Sequence, residues 1–158
     1  MSDGRSLHVM FCDDIRRELG NKMTLVGCYG SDLVLDELPV ALPRLCVMAR
    51  VITPVGDPVQ KLVVRVRKGD AVIGELGVSE EQIANNPKPQ PTTRWLVHTA
   101  VFEFSPLFIE TECKIGVEAE TERETHSTLC LKVLLSKNAD LEESEAHAMP
   151  ALADLPPN

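Results

Sequence analysis

The stretch Lys61–Val78, KLVVRVRKGDAVIGELGV, decides the fold class. Val64 and Val66 alternate with Arg65 and Arg67, the period of two that sends successive side chains to opposite faces of a strand. Lys68-Gly69-Asp70 then offers a turn, and Ala71–Val78 runs back. We read a β-hairpin whose first arm, Lys61–Arg67, faces inward at its valines and outward at its arginines.

The same pattern extends outward in both directions. In ECKIGVEAETE, Cys113, Ile115, Val117 and Ala119 read as inward, with Lys114, Glu118 and Glu120 outward. Trp95–Phe104 (WLVHTAVFEF) and Leu45–Thr53 (LCVMARVIT, stopped by Pro54) are further strands. Ser127–Ser136 is the last, with Leu129, Leu131, Val133 and Leu135 on one face. SLHVMFCDDI is apolar on both faces, which predicts a central, well-covered strand. A two-residue turn at Gly20-Asn21 returns it as Lys22–Tyr29, and Ser31–Leu35 continues that strand after a bulge or kink. DELPVALPR, SPLF and RETH are read as loop and turns.

In SEEQIANNPKPQPTTR, Ser79–Gln82 suits one capped helical turn, and Pro87, Pro89 and Pro91 end any helix. The rest reads as a rigid crossover between sheets, with a partner-binding loop as the alternative. About eight strands and no amphipathic helix predict an all-β protein: an antiparallel β-sandwich, immunoglobulin-like or C2-like, over residues 5–136. A closed barrel is the second choice. Residues 137–158 are expected to be an acidic, largely disordered tail.

Composition agrees. The 158 residues suit one domain with a full core, and its apolar 44 % and charged 25 % are ordinary for a soluble protein. With one Trp and one Tyr, the core must rest on Val and Leu, which favour strands. Half of the net charge of −8 lies in the tail, so the body has no broad basic surface and nucleic acid is not an expected partner. No apolar run is long enough for a membrane helix, and no signal peptide is evident, so a cytoplasmic location is expected. Five scattered cysteines without a CxxC read as reduced, buried side chains.

No phosphate loop, dinucleotide fingerprint, HExxH or GxSxG occurs. His8, His98, His126 and His147 lack zinc-site spacing. The adjacent Asp13 and Asp14 draw attention after Cys12. The two-residue turn would set Asp14 opposite Gly27 and Asp13 opposite Cys28. Neighbours on a strand point apart, so a shared site needs a bulge there. Without one, the pair serves the fold, through Asx-type bonds or through Arg16 and Arg17. The sharper alternative is a hard-cation site gathered at one pole from Asp13, Asp14, Asp32, Asp36 and Glu37, although their spacing matches no calcium loop. A Cys12 nucleophile with His8 or His98 as base is disfavoured, because flanking carboxylates raise a thiol's pKa. Arg65, Arg67 and Lys68 form a small basic cluster, read as a solvated face or a docking point for acid.

FCDDIRREL with a Gly-Asn turn, KMTLVGCYGSDLVL and LPRLCVMARV together resemble an uncharacterised family of small bacterial and phage proteins, classed as a domain of unknown function. The match rests on Cys12–Arg16, Gly27–Gly30 and Leu42–Leu45 and covers the first third of the chain best. It implies a bacterial or phage source and no activity. The expected function is a non-enzymatic protein-interaction module without cofactor. A phage structural component and a divalent-cation-binding sandwich are the alternatives. Exposed edge strands allow a homodimer.

Overall fold

The computed structural model describes residues 4–85 and 89–137. Its elements are β1 (Ser6–Glu18), β2 (Lys22–Cys28), β3 (Asp32–Leu35), β4 (Val40–Leu42), β5 (Leu45–Pro54), β6 (Leu62–Lys68) and β7 (Ala71–Val78). Then follow α1 (Glu80–Ala84), β8 (Trp95–Phe104), β9 (Leu107–Ile109), β10 (Cys113–Thr121), β11 (Thr125–Ser127) and β12 (Leu131–Leu135). They build a β-sandwich. One sheet has the order β2-β1-β5-β8; the other runs β3-β12-β10-β6-β7, with β11 also paired to β10. β4 and β9 form a small third ribbon. All pairings are antiparallel except β12 with β3.

The alternation read in the sequence builds the core. Phe11, Val47, Ala49, Val51 and Ala100 of the first sheet meet Leu62, Val64, Val66, Ile115, Val117, Ala119, Leu131 and Val133 of the second in one buried cluster. Each such Val, Leu or Ile contributes roughly 1.5–3 kcal/mol relative to leaving it exposed. Close approach of the sheets depends on Gly74 of β7. A Cβ there would lie 3.0 Å from Phe102 and 3.1 Å from Phe104, two stacked rings of β8.

Arg5 ties three segments together at the entrance to β1. Its buried guanidinium donates to Glu122 Oε1 at 2.6 Å and to the Pro58 carbonyl at 2.9 Å. Glu122 Oε2 in turn accepts from the backbone N–H of Gln60 at 3.0 Å.

Among the described residues twelve strands stand where about eight were expected, because β4, β9 and β11 are three residues long. That is too short to show a period in sequence, and among the described residues β4 and β9 pair only with each other, while Leu42, Leu107 and Ile109 pack into the core. Ser31–Leu35 does not continue β2. After Gly30 the chain leaves the first sheet, and β3 pairs in parallel with β12 of the second. The last expected strand is interrupted: Leu129 lies between β11 and β12 and is 90 % exposed. α1 is the capped turn foreseen at Ser79–Gln82, with both bonds of the capping box present. Pro87 lies outside the described residues, as does the expected acidic tail after Lys137. Among the described residues no helix is long and apolar enough to cross a membrane.

Candidate functional site

The acidic stretch of β1 shows first what the molecule does with its suspected chemistry. The turn between β1 and β2 holds three residues, Leu19, Gly20 and Asn21, the last two with φ of 76° and 56°. One residue more than expected slides the register by one. Cys12 pairs with Cys28 and Asp14 with Val26, so Asp13 stands opposite Gly27. The register stays constant to Glu18↔Lys22, so no bulge brings the two aspartates together. Asp13 folds over Gly27 and accepts a hydrogen bond from the Tyr29 hydroxyl. Asp14 points to the other side of the sheet, where Arg44 approaches at 2.7 Å and Arg16 at 3.3 Å. Arg44's hydrogen bond, seconded by that of Arg16, holds the Asp14 carboxyl below its ordinary range. Burial and then the bond to Asp13 push the Tyr29 phenol up to about 12.

The remaining candidates lie apart. Asp32 is on the second sheet and accepts from Ser31; Asp36 and Glu37 are exposed beyond the end of β3. Among the described residues no group of three or more His, Cys, Asp or Glu side chains is placed to share a cation. The basic cluster is neutralised at home. Arg65 pairs with Glu75 and Glu120 at 2.6 Å, Arg67 with Glu118 at 2.9 Å, and Lys68 with Glu110 at 2.6 Å.

The surroundings of Cys12 disfavour its thiolate form. Burial first, then the neighbouring Cys46, Cys28 and Asp13, push its thiol up to about 11. It shares the outer face of the first sheet with Cys46, whereas His98 opposes the inward-facing Val51. The expectation that all cysteines are buried fails at two positions: Cys28 and Cys130 are exposed.

β8 is the more informative element. It pairs with β5 over its whole length, from Leu45↔Phe104 to Pro54↔Trp95, without a register shift. Among the described residues its other edge has no strand beside it. Leu96, His98, Ala100, Phe102 and Phe104 take the inner face; Trp95, Val97, Thr99, Val101 and Glu103 take the outer. Trp95 is 44 % and Val97 54 % exposed. Long, apolar, uncharged edges invite pairing with another chain, and proteins usually blunt them with Lys, Pro, bulges or shortness. The other three edges of the two larger sheets show such devices. β2 carries Lys22 and the left-handed Gly27, β3 has four residues, and the β6–β7 pairing is broken by a register shift at Val66/Arg67. β8 has ten residues, no Lys or Pro, and one charge, Glu103, neutralised by Arg44 at 3.2 Å.

At the start of β8 a cleft of about 680 Å³ opens between its first residues, the β5–β6 loop and α1. Val55, Val59, Ile83, Ala84 and Leu96 give it an apolar lining. His98 stands in its wall, with Nε2 shut off from solvent and without a hydrogen-bond partner among the described residues. Burial pulls its pKa below the ordinary histidine value, so the ring is neutral at neutral pH. Neither the zinc spacing nor the pairing with Cys12 weighed from the sequence describes the setting of His98. The cleft was not foreseen, because its walls come from three segments distant in sequence.

Comparison with family models, with curated proteins and with solved structures found no match.

Proposed function

We propose that this chain is a non-enzymatic protein-interaction module of a bacterium or phage, and that it takes up an extended segment of a partner protein along the free edge of β8. The observation that carries this reading is the β8 edge, which has no paired strand among the described residues and is flanked by the exposed Trp95 and Val97. Strand addition obtains affinity from backbone hydrogen bonds and selectivity from alternate side chains. An exposed Trp is the residue type most often found as an interface anchor. Among the described residues no group of three or more His, Cys, Asp or Glu is placed to share a cation, so the reading rests on this surface. A homodimer is the special case in which the added strand is the β8 of a second copy. Five unpaired cysteines fit a reducing, cytoplasmic setting.

The test is capture from an extract of the source organism with the wild-type chain and two variants. Trp95→Ala removes the anchor, and Thr99→Lys places a charge in the middle of the edge. Both sites are on the outer face, so melting temperatures should stay near wild type. A partner held by the wild type should be weakened by roughly thirtyfold or more in Trp95→Ala and lost in Thr99→Lys. Equal retention by all three chains, or no specific partner at all, contradicts the proposal.

A further inference from the structure

We infer that the cleft at the start of β8 is a binding site for a small, uncharged, largely apolar molecule carrying one hydrogen-bonding group. Three independent features point to this class of ligand. The volume of about 680 Å³ falls within the range of small-molecule pockets. The walls are apolar side chains from α1, β8 and the β5–β6 loop, with polar groups only at Gln60, Glu80 and His98. Inside the wall stands a histidine whose Nε2 is buried and has no partner among the described residues. An unpaired buried polar atom is costly, and proteins rarely keep one without a use.

Charge narrows the class further. Glu80 is the only charged residue of the described lining. An anion entering the cleft would lose its hydration and meet a carboxylate without compensation. A molecule with an aromatic or aliphatic body and one hydroxyl or amide group meets neither penalty. Its body would replace water against Val55, Val59, Ile83 and Leu96. Its polar group would meet the imidazole after a small movement of the ring.

The experiment uses the full chain and 1-naphthol as an uncharged probe, with naphthalene and 1-naphthalenesulfonate as comparisons. Binding is followed through backbone amide signals in NMR spectra. One molecule of 1-naphthol should bind per chain, saturably, with shifts concentrated at Val55, Val59, Ile83 and Leu96 to His98. The sulfonate should bind at least tenfold more weakly. Ala84→Trp fills the cleft from the exposed side of α1 and should abolish binding. His98→Phe should weaken 1-naphthol about tenfold while leaving naphthalene unchanged. Absence of saturable binding, shifts centred elsewhere, or Ala84→Trp binding as wild type overturns the inference. So does tighter binding of the sulfonate. Trp95→Ala and Thr99→Lys, which test the docking edge, alter no residue of this lining, so the two ideas fail separately.

Discussion

Gly27 and Asp13 show how much one residue pair can decide. Gly27 has φ of 64°, and a Cβ there would lie 2.0 Å from Asp13 Oδ2. The aspartate therefore occupies the space that any side chain at 27 would need. Gly27→Ala should cost about 2 kcal/mol, from the left-handed backbone and the clash together. Adding Asp13→Ala should return the clash part and leave the backbone part, a difference read directly from urea unfolding of the four chains of the cycle. Thiol chemistry gives a second expectation at this scale. Iodoacetamide should modify Cys28 and Cys130 in the native protein and reach Cys12 and Cys46 only in denaturant, as peptide mass mapping would show. Fast native alkylation of Cys12 would revive the nucleophile that its surroundings argue against.

Among the elements, the strands with a full period were legible and the short or non-local ones were not. The arms of the β6–β7 hairpin emerged where Val64 and Val66 alternate with Arg65 and Arg67. The inward set Ile115, Val117 and Ala119 followed in the same way. The β1–β2 register was missed by one residue, because Gly20-Asn21 is a strong two-residue turn signal and Leu19 joins the turn beside it. That slip decides what faces what. Cross-strand proton contacts should link Asp14 with Val26, and their appearance between Asp14 and Gly27 would refute the register. The β8 edge could not be seen in sequence at all. WLVHTAVFEF announces a strand, but whether a strand has one neighbour or two depends on pairings made far along the chain.

For the whole molecule, the Arg5–Glu122 contact joins the start of β1 to the loops that follow β5 and β10. Burial alone would raise the Glu122 carboxyl. The hydrogen bonds from Arg5 and from the Gln60 and Lys61 N–H groups outweigh it and hold the group at about 2, against an ordinary 4.5. A depressed folded-state value stabilises the fold above the unfolded value. The contribution is complete above about 4.5 and drains away as pH falls towards about 2. Glu122→Gln should flatten stability across that interval in acid titrations. Glu122→Ala should cost roughly 3 kcal/mol at neutral pH, since it leaves the Arg5 guanidinium buried with its nearest carboxylate gone.

The proposed role of β8 is to dock another protein along its free edge. Amide hydrogen exchange of the chain, free and bound to the partner it captures, tests this most directly. The edge-facing amides within residues 95–104 should exchange readily in the free chain and slow markedly in the complex. Protection that falls elsewhere, with β8 exchanging equally in both states, would contradict it.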